Sequence, residues 1–579
     1  MTKGLGASPG IAIGPAYVLP AWEWELPDTL VDVADLAREF EKLSQGILIS
    51  KSELEIIRND IRNVIGEEES RIFDAHLALL EDPLFVSEVK TIIQRQYKAA
   101  EVAVKETIEK FAGMFELLDD EYMKERAMDI KDVGQRLLKH LLGSQEDSKP
   151  PQDQPFILVA KELSPSQLAH LDHSLLLGIV TMVGGTTSHA AIMARAMGIP
   201  FVFGLEEALP TPIQNSDLLI VDGEQGLVHV HPDAETVLRY TERKKQWLMT
   251  REKLQQIVHL PMETRDGIPM ELAVNISTLK ELDRALSYGA SGVGLFRTEF
   301  LYMDRSTIPT EDEQYEVYRE AAIRLEGKPI IIRTLDIGGD KLLDFIELPE
   351  EDNPFLGYRA IRILLDRQEL FKSQLKAILR ASAHGNVKVM YPMISSIEEV
   401  RQANVLLEEA KHELAAEGHA FNPAIEVGVM VEVPAAAAIA DLLAQETQFF
   451  SIGTNDLVQY TLAVDRMNEQ IANLYEPYHP AVLRMLRTTV EAAKEAGIPV
   501  YVCGEMAGDT NALPLWIALG VQELSMSVES ILPVKQRLLS LRSQDCFDLL
   551  PSLWSCRTAS EVKKNLELPN EEGPEVKEP

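Results

Sequence analysis

The stretch Gly184-Gly185-Thr186-Thr187-Ser188-His189 places two glycines, three hydroxyl groups and an imidazole directly after an apolar run, Ile179–Val183. Glycines after a strand let the backbone approach a ligand, and the helix-forming residues that follow offer an anion free N–H groups and a positive dipole end. The imidazole of His189 is a competent nucleophile, and Thr187 or Ser188 could hold one ring nitrogen while the other attacks. This pattern predicts a histidine that carries a phosphoryl group. The alternative is a helix-capping loop whose histidine has all its hydrogen bonds satisfied.

Four arginines in the second half of the chain form a second group, although the formal net charge of the protein is −35. They are Arg297, Arg333, Arg359 and Arg466. Guanidinium groups bind carboxylates and phosphates through two parallel hydrogen bonds. If the arginines converge, they predict a small substrate that carries both groups. The alternative is that each arginine pairs with a neighbouring acid.

Two carboxylates, Glu432 in VMVEVP and Asp456 in SIGTND, follow consecutive strand-like runs. Mg²⁺ usually takes one or two protein carboxylates and completes its octahedron with water and substrate oxygens. The pair therefore predicts a magnesium site at Glu432 and Asp456. The alternative is that both carboxylates pair with the arginines.

Cys503 ends the strand-like run VYVC, where a thiol could donate a proton or act as a nucleophile. The alternative is a small buried apolar residue. Cys546 and Cys556 lie outside the strand-like runs, and only a structural role is expected for them. Three cysteines are too few for a disulfide framework, which indicates a reducing compartment.

Alternating strand-like and helical patterns in the second half of the chain position these groups. Eight such βα units over about 270 residues predict a TIM barrel, here residues 263–545. The eight runs are Leu272–Ile276, Gly292–Phe296, Pro329–Thr334, Val387–Pro392, Val427–Val433, Phe449–Gly453, Val500–Cys503 and Leu524–Ser527. Polar residues stand where a barrel keeps its chemistry, at the carboxyl ends of the runs: Asn275, Arg297, Arg333, Glu432, Asn455, Asp456, Glu505 and Ser527.

The first half of the chain combines two further patterns. Apolar residues repeat at spacings of three and four over residues 30–143, which predicts an all-helical bundle that Pro83 interrupts. Short β-branched runs in residues 1–29 and 144–230 predict one α/β domain into which the bundle is inserted. Residues 231–262 are predicted to form a helical linker, with Asp233 at its N-cap, and residues 546–579 an acidic C-terminal tail without periodic structure from Arg557 onward.

Length, net charge and the distribution of apolar residues exclude several classes of protein. A length of 579 residues suits three or four domains, and the net charge of −35 repels nucleic acid and anionic membrane surfaces. The first twenty residues lack the pattern of a signal peptide, and no run of eighteen apolar residues occurs. We therefore expect a cytoplasmic protein with no nucleic-acid partner and no membrane insertion.

Several motifs resemble those of enzyme I of the bacterial phosphoenolpyruvate-dependent sugar phosphotransferase system, in the same order and over nearly the whole chain. They are GGTTSHAAIMAR, LDDEYMKERAMDIKDVG, GVGLFRTEFLYMDR, RTLDIGGDK, DNPFLGYRAIR, VMVEVPAA, QFFSIGTNDLVQYTLAVDR and VCGEMAG. The resemblance implies a swivelling α/β phosphohistidine domain with an all-helical insertion that binds the phosphocarrier protein HPr. It also implies a C-terminal TIM barrel that binds phosphoenolpyruvate with Mg²⁺, releases pyruvate and forms a homodimer.

The same resemblance assigns roles to individual residues. It implies that His189 is phosphorylated and that Cys503 protonates the departing enolate. The residues that it implies hold phosphoenolpyruvate are Arg297, Arg333, Asn455, Asp456 and Arg466, with Glu432 and Asp456 binding Mg²⁺. Because the histidine and the barrel are predicted on different domains, a hinge is expected near residues 144–155 or 231–262.

Two other functions fit parts of the sequence. A phosphoenolpyruvate synthase or pyruvate phosphate dikinase resembles the same histidine loop and barrel, but it needs an additional ATP-grasp domain for which this length leaves no room. A catalytically inactive adaptor that only binds a carrier protein is expected to have lost His189 or the barrel arginines, and the sequence retains them.

Overall fold

The computed structural model describes residues 2–568 except 21–25, 27–29, 65–66, 117–120, 144–153, 170, 186–187, 206–211, 304, 306, 340–348, 350, 467 and 469. The chain divides into two compact units, Met1–Thr250 and Arg251–Pro579. Each unit has its own apolar core.

The first unit is built on an eight-stranded mixed sheet. Its strands are β1 (Thr2–Lys3), β2 (Leu5–Ser8), β3 (Ile11–Val18), β4 (Phe156–Ala160), β5 (Leu176–Thr181), β6 (Phe201–Phe203), β7 (Leu218–Asp222) and β8 (Leu227–Val230). Their order is β1-β8-β7-β3-β4-β5-β6-β2, and the neighbours among β3, β4, β5 and β6 run parallel. Strand β5 begins at Leu176, three residues earlier than predicted, because Leu176 pairs with Phe156 at the start of β4.

The described residues before β7 also form the helices α1 (Leu36–Val64), α2 (Glu67–Glu81), α3 (Pro83–Gln96), α4 (Ala100–Glu116), α5 (Glu121–Leu142), α6 (Pro165–Ala169) and α7 (His189–Met197). The first five lie between β3 and β4, so a helical bundle interrupts the sheet as predicted. Pro83 begins α3, because proline suits the first turn of a helix and the Asp82 side chain accepts a hydrogen bond from the Leu84 N–H (2.7 Å).

The bundle and the sheet share one apolar core. Phe73 of α2 and Leu137 of α5 belong to the same buried cluster as Ile179 of β5 and Ala190 of α7. Polar contacts cross the same boundary, because Asp132 of α5 accepts hydrogen bonds from the Ser164 hydroxyl (3.0 Å) and the Ser166 N–H (3.3 Å). The bundle is therefore an integral part of the first unit.

Helix α8 (Ala234–Gln256) follows the sheet, and the boundary between the two units falls within it. It begins where the sequence predicts, because the Asp233 carboxylate accepts a hydrogen bond from the Thr236 N–H (2.7 Å).

The second unit is a closed barrel of eight parallel strands, which confirms the predicted TIM barrel. The strands are β9 (Glu271–Ile276), β10 (Val293–Phe296), β11 (Ile330–Arg333), β12 (Val387–Tyr391), β13 (Val427–Val431), β14 (Phe449–Ile452), β15 (Val500–Val502) and β16 (Glu523–Met526). Its helices are α9 (Leu279–Ser287), α10 (Glu311–Arg324), α11 (Ile361–Asp366), α12 (Gln368–Ala381), α13 (Ile397–Glu417), α14 (Pro434–Ala438), α15 (Ala440–Leu443), α16 (Thr454–Leu462), α17 (Pro480–Ala496), α18 (Leu513–Leu519) and α19 (Val528–Ser540).

The C-terminal segment differs from its prediction. It forms α20 (Ser543–Phe547), α21 (Leu550–Ser555) and α22 (Ala559–Leu566), so the expectation of no periodic structure after Arg557 is wrong for α22. Val562 and Leu566, four residues apart on one helix face, are buried in the barrel core. Two apolar side chains are too weak a periodic signal to detect without the surface on which they pack. Residues 569–579 lie outside the described part of the chain.

Within the described residues, none of the helices combines the length and the apolar character that crossing a bilayer requires.

The amino-terminal end of the barrel encloses a buried acid. Glu523, the first residue of β16, is buried, and its Oε1 has no hydrogen-bond partner among the described residues. Burial raises the pKa of Glu523 to about 7, while the nearby Lys388 ammonium partly opposes this shift. The folded barrel therefore keeps a proton on Glu523 that an unfolded chain releases near pH 4.5.

The stability of the barrel should reflect this proton. The contribution of protonated Glu523 to the free energy of unfolding is fully present below pH 4.5 and is lost as the pH rises through about 7. The free energy of unfolding should fall by about 3 kcal/mol over this range. Glu523→Gln should remove this loss, so that its free energy of unfolding falls less than that of the wild type between pH 5 and 8. Urea unfolding at several pH values measures the effect, with Glu495→Gln, an exposed acid, as control. Parallel pH profiles for Glu523→Gln and the wild type would contradict the assignment.

Candidate active site

His189 is the first residue of α7 and is partly exposed. Gly184 precedes it with φ +150°, a conformation that residues with a Cβ rarely adopt. The Ser188 hydroxyl caps α7 by accepting a hydrogen bond from the Ala191 N–H (3.3 Å), and Thr187 lies outside the described residues. The His189 ring makes no hydrogen bond with the described residues, which leaves its nitrogens available to an electrophile.

A cavity of about 430 Å³ opens at the carboxyl ends of the barrel strands. It is lined by Cys503 and by five of the eight polar residues that the sequence places at strand ends: Asn275, Arg297, Asn455, Glu505 and Ser527. This is the face on which TIM-barrel enzymes carry their catalytic groups.

Arg297 presents an uncommitted positive charge to this cavity. It follows β10, its side chain is exposed, and its guanidinium forms no hydrogen bond or ion pair with the residues that the structure describes. The alternative of a rim salt bridge is therefore not observed for this arginine.

Arg333, in contrast, is buried and paired. Its guanidinium donates to the Glu299 carboxylate and lies 3.0 Å from the Asp336 Oδ2. Burial opposes the charge of Arg333, but Glu299 and Asp336 more than compensate and raise its pKa. The positive charge is fixed in place before any ligand arrives.

Arg359 and Arg466 extend the same network. Arg359 donates to both Asp336 oxygens (2.9 and 3.1 Å), to Asp456 (3.4 Å) and to the Tyr460 hydroxyl (3.1 Å). The Arg466 Nη1 lies 3.9 Å from the Asp456 Oδ1. Two of the four predicted arginines, Arg333 and Arg359, are thus held by carboxylates, as the alternative proposed. The buried Arg466 Nη1 lies near Asp456 but has no hydrogen-bond partner among the described residues.

Glu432 adds a buried carboxylate to the group. Its Oε1 accepts a hydrogen bond from the Met393 N–H (2.6 Å), and Met393 has a positive φ of 56°. Burial, together with Asp456 and Asp336, raises the pKa of Glu432 to about 8. Glu432 and Asp456 therefore interact as a pair of crowded carboxylates.

This pair fits a magnesium ion in its donor chemistry. No group of three or more His, Cys, Asp or Glu side chains that could hold a metal occurs among the described residues. Mg²⁺ does not require such a group, since one or two carboxylates with water and substrate oxygens suffice. The Glu432 Oε2 accepts no hydrogen bond from any residue the structure describes, so one hard oxygen remains for a cation.

Cys503 is a buried thiol on the cavity wall. Its Sγ lies 3.7 Å from the Ile452 carbonyl oxygen, to which it donates a weak hydrogen bond. Burial raises the pKa of Cys503 to about 11, so the thiol keeps its proton at neutral pH. This suits an acid better than a nucleophile, which requires the thiolate.

Asn455, at the start of α16, holds the segment that follows Cys503. Its Oδ1 accepts a hydrogen bond from the Glu505 N–H (2.8 Å), and its Nδ2 donates to the Glu505 carboxylate (3.3 Å). Tyr475 donates to the Asn455 carbonyl (3.3 Å).

The sequence analysis did not single out Glu299 and Asp336, the acids that hold the arginines. A signal was present, because Glu299 stands two residues after Arg297 in GVGLFRTEFLYMDR and Asp336 three residues after Arg333 in RTLDIGGDK. A carboxylate so close to an arginine at a strand end is a candidate partner for the neighbouring arginines.

Comparison with known proteins decides the family. A family model described as the PEP-binding domain of PEP-utilising enzymes matches residues 251–543, and models of their N-terminal and mobile domains match residues 3–126 and 152–226. The phosphoenolpyruvate-protein phosphotransferase of Geobacillus stearothermophilus is 46% identical over 96% of this chain and 96% of its own length. The chain belongs to the phosphoenolpyruvate-protein phosphotransferase family.

Two further phosphotransferases agree with this membership. The phosphoenolpyruvate-protein phosphotransferases of Bacillus subtilis and Listeria monocytogenes are 46% and 44% identical over 97% and 98% of this chain, and 98% of each relative is covered. A solution structure of an enzyme I protein is 37% identical, with a TM-score of 0.37, and covers 43% of this chain and 99% of its own. In this phosphotransferase-family chain, His189 falls in the segment matched by the mobile-domain model, and Cys503 in that matched by the PEP-binding model.

Proposed function

We propose that this chain transfers the phosphoryl group of phosphoenolpyruvate to His189 and then to the phosphocarrier protein HPr, releasing pyruvate. This is the first step of the sugar phosphotransferase system. The observation that carries the proposal is the pairing, on one barrel cavity, of an uncommitted guanidinium from Arg297 with the protonated thiol of Cys503. The first suits an anionic substrate and the second suits an enolate that must gain a proton.

The chemistry divides among three groups. Arg297, Arg333 and Arg466 bind the anionic substrate, and the carboxylates around Arg333 and Arg359 hold these two side chains in fixed positions. A ring nitrogen of His189 attacks phosphorus as the bond to the enol oxygen breaks. The C3 carbon of the resulting enolate takes the proton of the Cys503 thiol, which forms pyruvate and leaves a thiolate that solvent reprotonates. Asn455 and Asp456 complete the proposed substrate site.

Glu432 and Asp456 are the residues that we propose hold Mg²⁺. A bound Mg²⁺ would neutralise phosphate and carboxylate charge on the substrate. Glu299, Asp336 and Asp456 already face Arg333, Arg359 and Arg466, which leaves the charge of Arg297 uncommitted among the described residues. A highly anionic ligand therefore brings charge that the protein alone does not compensate, which favours its binding together with a cation.

The same proposal covers domains, partners and location. Residues 1–29 and 144–230 would form the phosphohistidine domain, 30–143 the HPr-binding bundle, 231–262 the linker, and 263–545 a barrel that also forms a homodimer in the cytoplasm.

Leu84 is exposed at the start of α3, next to Glu81 and Asp82, which suits a basic partner with an apolar centre. The side chains of Glu67, Glu68 and Glu69 lie outside the described part of the structure.

The decisive experiment is phosphorylation of the full chain. We expect incubation with phosphoenolpyruvate and Mg²⁺ to give one acid-labile phosphate that peptide mass spectrometry locates on His189, and addition of HPr to remove it. Phosphorylation that requires ATP would favour a phosphoenolpyruvate synthase or dikinase, and binding of HPr without phosphorylation would favour an inactive adaptor.

Substitutions of Arg297 and Arg333 should differ in their effect on stability, because the two guanidinium groups differ in their contacts with carboxylates. Arg297→Ala should cost about 2–4 kcal/mol of transition-state stabilisation and leave stability unchanged, because the exposed guanidinium has no protein partner to abandon among the described residues. Arg333→Ala should also lower the free energy of unfolding, by about 3–5 kcal/mol, because it removes a buried cation that contacts the buried carboxylates of Glu299 and Asp336. Turnover and urea unfolding of both variants measure the two effects, and equal destabilisation by the two substitutions would contradict this distinction.

A further inference from the structure

Cys503 stands where the hydrogen bonding of its strand ends. Strand β15 pairs with β16 only through Tyr501 and Val502, and its last residue is Val502. The Cys503 N–H still donates to the Ile452 carbonyl of β14 (3.0 Å). On its other side, the Cys503 carbonyl accepts a hydrogen bond from a side chain, the Asn275 Nδ2 (2.9 Å).

Asn275 reaches Cys503 from a strand that does not pair with β15. It lies near the end of β9, and β16 stands between β9 and β15 in the barrel. Its Oδ1 accepts a hydrogen bond from the Ser525 hydroxyl (2.7 Å), so both ends of the amide are engaged. This arrangement fixes which end of the amide faces Cys503, because only the nitrogen can donate to a carbonyl.

Gly294 of β10 makes room for this chain of hydrogen bonds. A Cβ at Gly294 would lie 2.6 Å from the Ser525 Oγ and 2.5 Å from the Glu523 Oε1, closer than real Cβ contacts allow. Ser525 itself is fully buried and is not part of the cavity wall, whereas Asn275 and Cys503 are. Among the described residues, the Ser525 hydroxyl reaches the cavity wall through its hydrogen bond to Asn275.

We propose that Asn275, oriented by Ser525, is the residue that positions the Cys503 thiol over one face of the enolate. The proposal rests on the function proposed above. Asn275 holds the carbonyl of Cys503 on one side, and Asn455 holds the N–H of Glu505 two residues later. Between them the thiol-bearing segment has a defined place, which a proton transfer to carbon needs, since a misplacement of about 1 Å can cost on the order of 100-fold in rate.

The test uses the full chain and two substitutions that act on the same hydrogen-bond chain. In Asn275→Asp, the side chain keeps its shape and still accepts from Ser525, but its carboxylate cannot donate to the Cys503 carbonyl. We expect kcat for pyruvate formation to fall about 10- to 100-fold, with KM for phosphoenolpyruvate changed less than threefold. Ser525→Ala, which removes no group from the cavity wall, should give a smaller loss in the same direction.

The stereochemistry of the product distinguishes a positioning role of Asn275 from a merely structural role, which would leave it unchanged. Phosphoenolpyruvate that carries one deuterium at a defined position on C3, turned over in tritiated water, should give pyruvate with a methyl group of a single chirality in the wild type. Both variants should give a partly racemic product, because a misplaced thiol lets the enolate escape and take a proton from solvent on either face.

Gln522→Leu is the matched control. The Gln522 side chain accepts a hydrogen bond from the Val500 N–H (2.8 Å), a similar clamp on the same strand at its opposite end. It should retain wild-type rate and stereochemistry in the folded fraction. A single-chirality product and a rate within twofold of the wild type in both Asn275→Asp and Ser525→Ala would overturn the proposal, as would a rise in KM with unchanged kcat. If wild-type protein forms no phosphohistidine, the proposed function itself fails.

Discussion

Replacing His189 with glutamine should abolish phosphorylation of the chain and transfer to HPr while the protein folds normally. A glutamine side chain has a similar volume and polarity at the start of α7 but offers no nucleophilic ring nitrogen. The capping bond from the Ala191 N–H to Ser188 does not involve the imidazole, so the free energy of unfolding should stay within about 0.5 kcal/mol of the wild type. Acid-labile phosphate on the chain and on HPr is the quantity to measure.

The control for His189→Gln is His231→Asn in the same unit. His231 is exposed and has a positive φ of 50°, which asparagine tolerates well. This variant should phosphorylate normally. Acid-labile phosphate at full stoichiometry in His189→Gln would show that another residue accepts the phosphoryl group.

Replacing Cys503 with Ala should slow pyruvate formation from phosphoenolpyruvate by about 10²- to 10⁴-fold, the usual contribution of a positioned acid. Transfer from phosphorylated His189 to HPr should keep its wild-type rate, because Cys503 lies on the barrel cavity and takes no part in it. Rapid-quench measurement of each half-reaction separates the two effects.

Cys546→Ala is the control for a buried thiol without a chemical role. Cys546 is also fully buried, and burial raises its pKa to about 12, but it lies in α20 away from the strand ends. Its loss should lower stability through a small cavity and leave both half-reactions unchanged. If Cys503→Ala behaves like Cys546→Ala, then Cys503 is only a packing residue, and if it slows both half-reactions equally, the defect lies in folding or domain movement.

Most of the fold could be predicted from the sequence because strand and helix periods are local signals. The eight barrel strands lie within two residues of their predicted bounds, since each is a short apolar run. Helix α22 was missed because Val562 and Leu566 define a buried face only in the presence of the barrel surface.

The residue types of the site could be predicted from the sequence, but the contacts between its arginines and carboxylates could be predicted less well. Chemistry and strand ends point to Arg297 and Cys503, which the structure brings to one cavity. The sequence does not distinguish the free guanidinium of Arg297 from that of Arg333, which is neutralised by Glu299 and Asp336, because this depends on side chains that meet across neighbouring strands. The position of the Ser525 hydroxyl could not be predicted from the sequence either, because it depends on the absence of a side chain at Gly294.

The common core of the bundle and the sheet has a consequence for how the first unit can be taken apart. Phe73 and Leu137 lie in the same buried cluster as Ile179 and Ala190, so excising the bundle would expose apolar surface of the sheet and of α7. Residues 1–250 should therefore melt as one cooperative transition. A protein that binds the bundle would therefore bind the same cooperative unit that carries His189. Exchanging bundles between relatives would require the matching sheet face to be exchanged with them.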